Sequence, residues 1–306
     1  MTFRLLLLFV SVAFTACGQS RQDSRTFRQV PGSKLSAVAD ILDYQIGSTW
    51  GKSIIKQDSL ENSSPAIRRA AKATARVRLG FGGATAFAIG QRGDQVLMAT
   101  NHHVIGSEDQ CQNAGISFEM LGISSLQCDR IIETSTDLDL TIFTISGTTA
   151  EQVSKIVSVA KSFNKDEPRK GRTLATIGYG VAGNPGQRNL MKGLDEDCKI
   201  FSPDGESRFM ADPDEFNPGP HMTWMFAIGC DVSHGDSGSA IVDRESGDVI
   251  GIVSTGKIPK DVKVRESTYL SGIYDAASED VWKELTYAVP ASKIWELLGS
   301  ALEQPK

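Results

Sequence analysis

Hydrophobic positions along this chain fall mostly into short runs rather than long helical stripes. Residues 74–79, 84–89, 96–100, 116–120, 140–145, 173–179, 223–228, 239–242 and 249–254 are β-branched or aromatic runs of strand length, many set apart by Gly, Asp or Asn. Repeated short strands with turn signals between them predict an all-β sandwich or barrel. Other segments break the pattern. Residues 35–46 carry apolar positions at helical spacing, and Asn62-Ser63-Ser64-Pro65 interrupts before a second such stretch at 66–75. Residues 151–163 put Val153, Ile156, Val157 and Ala160 on one helical face, a helix that would link two halves. Near the end, Pro290 and Ser292 precede Ile294, Trp295, Leu297 and Leu298, which predicts a short amphipathic closing helix.

The N-terminus changes the picture of where such a domain resides. Arg4, an apolar run at 5–14 and then Thr15-Ala16-Cys17-Gly18 read as a signal peptide over residues 1–16. The run is shorter than the roughly 20 residues of a membrane span, and small residues before a cysteine mark a processing site. Phe14-Thr15-Ala16-Cys17 resembles a bacterial lipobox, with Phe14 where that motif usually has Leu. The resemblance implies lipidation of Cys17 as the first mature residue, and Gly18 rather than Asp after it implies the outer membrane of the cell envelope. Cleavage within residues 13–16 and release as a soluble periplasmic or secreted protein is the alternative. Residues 17–70 then read as a polar tether followed by a packing arm or prosegment, before a domain at 71–298.

The 306 residues are 40% hydrophobic and 23% charged, enough for one large domain with a real core. A net charge of -5 without a long basic run offers no phosphate-binding surface, so nucleic acid is not an expected partner. With Cys17 set aside, Cys111, Cys128, Cys198 and Cys230 remain, an even number in an exported chain. Two disulfides are expected, and of the three possible pairings spacing favours Cys111 with Cys128 and Cys198 with Cys230. The cysteines lack zinc-site spacing, so no metal is expected.

The candidate chemistry centres on Cys230-Asp231-Val232-Ser233-His234-Gly235-Asp236-Ser237-Gly238-Ser239-Ala240, which sets one serine in a glycine-walled turn ahead of a strand. A serine hydroxyl needs a histidine base, a carboxylate to orient that base, and donors for the oxyanion. The backbone N–H groups of Gly235 and Ser237 are the candidate donors, because Gly235 leaves the backbone free to arch. Of the four histidines, His102 and His103 stand where an apolar strand ends in a polar turn.

Ala84-Thr85-Ala86-Phe87-Ala88-Ile89 followed by Thr100-Asn101-His102-His103-Val104 resembles the corresponding strand and turn of trypsin-like serine peptidases of bacterial glutamyl-endopeptidase and HtrA type. Aligning the motif makes His103 the base and leaves His102 as its solvent-facing or structural neighbour. Asp139-Leu140-Thr141-Ile142-Phe143 resembles the family's strand that begins with the orienting Asp, and Asp137 is a rival two residues earlier. If Asp137 were the orienter, Asp139 would be an unpaired charge inside a strand, so Asp139 is preferred. The order His103, Asp139, Ser237 is that of chymotrypsin-fold enzymes. Residues 171–180, ending Gly178-Tyr179-Gly180, resemble the family strand leading to Gly-x-Gly. Residues 251–256 resemble the edge strand that pairs with substrate, and Tyr287-Ala288-Val289-Pro290 resembles the bacterial strand-to-helix ending.

This resemblance covers residues 70–298 and implies two six-stranded antiparallel β-barrels, at about 71–160 and 165–298, with a short C-terminal helix. It implies a serine endopeptidase acting on protein or peptide substrates without a cofactor. Asp231, six residues before Ser237, stands at the interval at which trypsin places the carboxylate of its specificity pocket. The pocket would be lined by Val232, His234, Ser254, Thr255 and Gly256, and a preference for basic side chains is expected. Val253 stands where the glutamyl enzymes carry histidine. The chain departs from the family pattern at Ala240, which replaces the usual Pro, in lacking an Ile-Val-Gly-Gly start, and at Asp236, which is Asn in many bacterial relatives and calls for a cation. Gly235-Asp236-Ser237 also resembles the nucleophile block of GDS-type esterases, but no histidine follows His234 to complete that site. A peptidase fold kept as an inactive binding or surface-interaction module is the non-enzyme alternative.

Overall fold

The computed structural model describes residues 41–302 apart from 81, 217–221 and 277. The expected signal peptide, Cys17, the tether and most of the helical stretch expected at 35–46 lie outside the described residues. The described end of that stretch is a short 3-10 turn at Ile41–Asp43.

Fourteen strands carry the described fold: β1 (Lys52–Ile54), β2 (Thr74–Leu79), β3 (Gly82–Arg92), β4 (Gln95–Thr100), β5 (Gly115–Phe118), β6 (Ile123–Ser135), β7 (Leu140–Ser146), β8 (Leu174–Gly178), β9 (Met191–Gly193), β10 (Arg208–Ala211), β11 (Met222–Ile228), β12 (Ala240–Asp243), β13 (Val249–Gly256) and β14 (Thr286–Pro290). Strands β2 to β7 close an antiparallel barrel in the order β2-β3-β4-β7-β6-β5. Alternating side chains fill it: Val77, Ala86, Met98, Ile116, Phe118, Phe143 and Ile145 are buried together inside. The helix expected at 151–163 runs Ala150–Val159. It starts with a capping box in which Thr149 and Gln152 exchange hydrogen bonds, and it buries Ile156 against the barrel.

The second half corrects one expectation. In place of a second closed six-stranded barrel, an open eight-stranded sheet runs β1-β9-β8-β12-β13-β14-β11-β10. Among the described residues β1 pairs only with β9 and β10 only with β11, at opposite ends of the sheet, which leaves it open. β1 belongs to the segment read as a packing arm, so residues 52–54 form a sheet edge.

Between the two halves lies a shared core. The helix Pro65–Ala73, started by Pro65 and by Ser64 accepting from the Ile67 N–H, buries Ile67, Ala70 and Ala71. These meet Phe87, Leu97, Leu140 and Ile142 from the barrel and Ile177, Val242, Ile252 and Val289 from the sheet. The closing helix, Ala291–Leu302, adds Ile294 and Leu298. Both disulfides form as expected. Cys111–Cys128 pins the short helix Glu108–Gln112 to β6, and Cys198–Cys230 holds the start of the serine turn.

Candidate active site

His103 is placed by the abrupt end of β4. The carbonyl of Asn101 accepts from the N–H groups of Val104 and Ile105, which winds residues 101–105 into one turn anchored by those two buried side chains. The Asn101 side chain donates to the Asp139 carbonyl at 2.9 Å, tying this turn to the head of β7. Asp139, held at φ 40°, receives the His103 N–H on Oδ1 at 2.9 Å and lies 2.8 Å from His103 Nδ1 through Oδ2. The Ser254 hydroxyl donates to the same Oδ2 at 2.6 Å. Burial alone would push the Asp139 carboxyl up, but the His103 ring, the Ser254 hydroxyl and the His103 N–H outweigh it and hold it below the usual range. An ionised Asp139 puts the imidazole proton on Nδ1 and leaves Nε2 to act as a base. Asp137 meets Trp224 through its carbonyl, and His102 meets the Thr134 hydroxyl at 2.8 Å.

Ser237 lies half-buried in the turn between β11 and β12. Two glycines permit that turn. Gly235 (φ 92°) passes so close to Tyr179 and Gln187 that a Cβ would stand 2.6 Å from the Tyr179 carbonyl, and at Gly238 (φ 82°) it would stand 2.0 Å from that of Thr85. Thr85 clamps the turn to the barrel. Its N–H donates to the Ser237 carbonyl at 2.9 Å, and its hydroxyl donates to the Gly235 carbonyl at 2.8 Å while accepting from Tyr179 N–H. The amides of Asp236, Gly238 and Ser239 donate to protein carbonyls. Those of Gly235 and Ser237 meet no acceptor among the described residues. They are the two groups expected to receive an oxyanion.

Asp236, next to Ser237 in the turn, is fully buried. Its Oδ2 accepts from Ser233 N–H at 2.8 Å and more weakly from the Ser233 hydroxyl, and its Oδ1 lies 2.5 Å from the Lys52 ammonium. The cation demanded by Asp236 therefore comes from β1. Gly180 makes the room, because a Cβ there would stand 2.2 Å from Asp236 Oδ2.

Of the expected pocket residues, Ser254 binds the Asp139 carboxylate. A bulge in the β13–β14 ladder between Val253 and Thr255 lies at this residue. The Thr255 hydroxyl bonds Asp212, and Gly256 pairs with Thr286. Val232 is buried, and His234 is partly exposed with Nε2 3.7 Å from Asp214. Asp231 is fully buried, with Oδ1 accepting from Ile46 N–H at 2.7 Å and Oδ2 from Gly51 N–H at 2.6 Å. Its carboxyl is pushed up to about 7, chiefly by burial. Sequence reading missed Thr85 and Lys52, and placed Ser254 only in a pocket wall. For Lys52 the one signal was the acidic residue beside the serine. No group of His, Cys, Asp or Glu side chains suited to a metal occurs among the described residues.

The family model of the trypsin-like peptidase domain matches residues 84–252, a span that holds His103, Asp139 and Ser237. The chain belongs to the trypsin-like peptidase family. No curated protein matches it by sequence. Among solved structures this trypsin-like peptidase is similar to the Rv3671c protease of M. tuberculosis in its active form, at 18% identity and a TM-score of 0.50 over 82% of this chain and 90% of that one. It is similar to the inactive form of Rv3671c protease at 18% identity and a TM-score of 0.50, over 79% of this chain and 95% of that one. These likenesses concern the fold.

Proposed function

We propose that this chain is an active serine endopeptidase. The Ser237 hydroxyl attacks a peptide carbonyl and passes its proton to His103 Nε2. The resulting oxyanion is met by the N–H groups of Gly235 and Ser237, and His103 returns the proton to the leaving amine. Water, activated by the same imidazole, then hydrolyses the acyl-enzyme. The observation that carries this reading is the Asp139 carboxylate, bonded at once to the His103 ring, the His103 backbone and Ser254. Such an arrangement fixes both the tautomer and the aim of the base. The motifs at residues 100–104 and 139–143 support a place beside the bacterial glutamyl-endopeptidase and HtrA enzymes. Two disulfides and the signal-like N-terminus support export, with Cys17 as the site of a lipid anchor. The preference for basic side chains expected from Asp231 finds no support in the geometry, because both carboxylate oxygens are occupied by backbone donors.

Labelling with a serine-directed fluorophosphonate tests the proposal. An active enzyme is modified at Ser237 and loses the label in Ser237→Ala. A folded chain that takes no label at Ser237 is instead the inactive binding module.

A further inference from the structure

The loop at residues 179–190, between β8 and β9, touches the serine turn through one backbone bond. Val181 N–H donates to the His234 carbonyl at 2.9 Å. The His234–Gly235 peptide is trans, so its carbonyl and its N–H point opposite ways. A carbonyl held by Val181 therefore turns the Gly235 N–H, a candidate oxyanion donor, away from this loop. The aim of that donor depends on how firmly the loop itself is held. Asn184, fully buried, ties the loop to itself: its side chain donates to the carbonyls of Gly180 at 3.0 Å and Asn189 at 2.8 Å, and its N–H donates to the Val181 carbonyl.

Gln187 ties the same loop to the barrel. Its side-chain Nε2 donates to the Gly83 carbonyl of β3 at 3.0 Å and to the Tyr179 carbonyl at 2.5 Å, which uses both hydrogens of the amide. Two carbonyl partners also fix which end of the carboxamide is nitrogen. The group is wedged between two glycines. A Cβ at Gly235 would stand 1.7 Å from Nε2, and one at Gly83 would stand 2.6 Å from Oε1. The carboxamide thus fills the Cβ side of Gly235, and the serine turn cannot sink toward the loop. The backbone of Gln187 is strained as well, with φ at 51°. Among the described residues only Ser125, Asp139 and Gln187 combine a Cβ with positive φ, and Asp139 is the candidate triad carboxylate. Such a conformation persists only where the surroundings hold it.

We propose that Gln187 is a positioning residue for the oxyanion donor: it fastens residues 179–187 to the barrel beside Gly235, and through Val181 that loop keeps the Gly235 N–H aimed at the substrate oxygen. The proposal rests on the endopeptidase reading above. Gln187 acts through Gly235 and does not touch the reacting atoms. If the loop drifts, the His234–Gly235 peptide is free to rotate, and rotation brings a carbonyl oxygen to the place where a donor is needed. Negative charge on the substrate oxygen develops only in the transition state, so a misaimed donor lowers kcat and leaves KM in place.

The test is Gln187→Met in the full chain, which keeps the length of the side chain and removes both donors. Outright loss of an oxyanion donor costs about 10²- to 10³-fold in kcat, and misaiming one of two should cost about tenfold. Steady-state kinetics on one good peptide should show that fall in kcat with KM unchanged, and fluorophosphonate labelling of Ser237 should slow in step. The pH profile of kcat/KM should keep its shape, since the His103 and Asp139 contacts are untouched. A variant with a lower Tm and wild-type kcat makes Gln187 a structural residue and overturns the proposal, as does a raised KM with kcat kept. Folded wild-type protein that neither labels nor cuts overturns the endopeptidase reading and this inference with it. If Gln187→Met does not fold, amide hydrogen exchange of the wild-type chain decides: the Val181 N–H should be protected, and exchange at the rate of an unstructured amide overturns the proposal.

Discussion

The ammonium of Lys52 lies 2.5 Å from the carboxylate of Asp236, with both side chains fully buried and the two residues 184 positions apart in sequence. Asp236 separates Gly235 and Ser237, the candidate oxyanion donors, so this pair braces their turn. Removing one partner of a buried ion pair typically costs about 3 to 5 kcal/mol, because the other charge is left uncompensated. Lys52→Met is expected to abolish most fluorophosphonate labelling of Ser237 and to lower Tm. The intact chain should label without any cleavage between residues 41 and 64, which mass spectrometry of the labelled protein checks. Labelling of Lys52→Met at the wild-type rate would show that the turn stands without the pair.

Alanine at His103, Asp139 or Ser237 should each remove most peptidase activity. The double variant Ser237→Ala/His103→Ala should be little worse than either single one, because triad members act as a unit. His102→Ala, which loses the contact with Thr134, should cost far less. Steady-state kinetics on one good peptide decides the assignment, and an inactive His102→Ala beside an active His103→Ala would reverse it.

Asp231 is positioned as a latch for the arm. Asp231→Ala leaves the amides of Ile46 and Gly51 without their acceptor, and an unsatisfied buried donor costs about 1 to 3 kcal/mol. A lower Tm and faster proteolysis at residues 44–52 are expected, with the rank order of cleaved peptides unchanged. A change in that order would make Asp231 a reader of substrate after all.

Lys260, a buried lysine whose ammonium donates to the Leu285 carbonyl at 2.9 Å, should weaken the fold. Burial holds its ammonium down to about 7 from the usual 10.5, against the attraction of Asp231, Glu284 and Asp214, with Lys257 adding to the depression. A lysine whose folded pKa is lowered costs stability in full below about 7, and the cost fades as pH rises to 10.5, where the unfolded chain also loses the proton. Lys260→Met should therefore raise Tm at pH 6 and bring little gain near pH 10. The Leu285 carbonyl keeps Lys257 N–H as a donor in that variant. Thermal melts across this range check the sign, and a Tm gain that grew with pH would contradict it.

The candidate triad could be read because each member sits where an apolar strand meets a turn, and such boundaries are written locally in residues 96–104, 139–145 and 233–242. Strand β2 could be read to its ends for the same reason, since Thr74–Leu79 follows a helix of alanines without a linker. β6 escaped notice because its thirteen residues include many exposed polar positions, which dilutes the apolar signal. β1 and β9 have three residues each, too few for any period to show. The partners of the acidic residues were beyond local reading altogether. Asp236 announces that it needs a cation, but nothing nearby says which of the 32 lysines and arginines supplies it. Asp231 stands at the right interval for a substrate carboxylate, and only the fold shows its oxygens filled by backbone from residues 46 and 51.

The segment from Ile46 to Lys52 satisfies both Asp231 and Asp236, so it acts on the serine turn as a ligand that happens to be covalently attached. Thermodynamic linkage makes such coupling reciprocal. If the docked segment favours the turn in its reactive shape, then anything that favours that shape must tighten the docking by the same factor. On that condition an occupied active site secures residues 46–52 against local unfolding, and a chain with substrate bound is harder to nick there than one without.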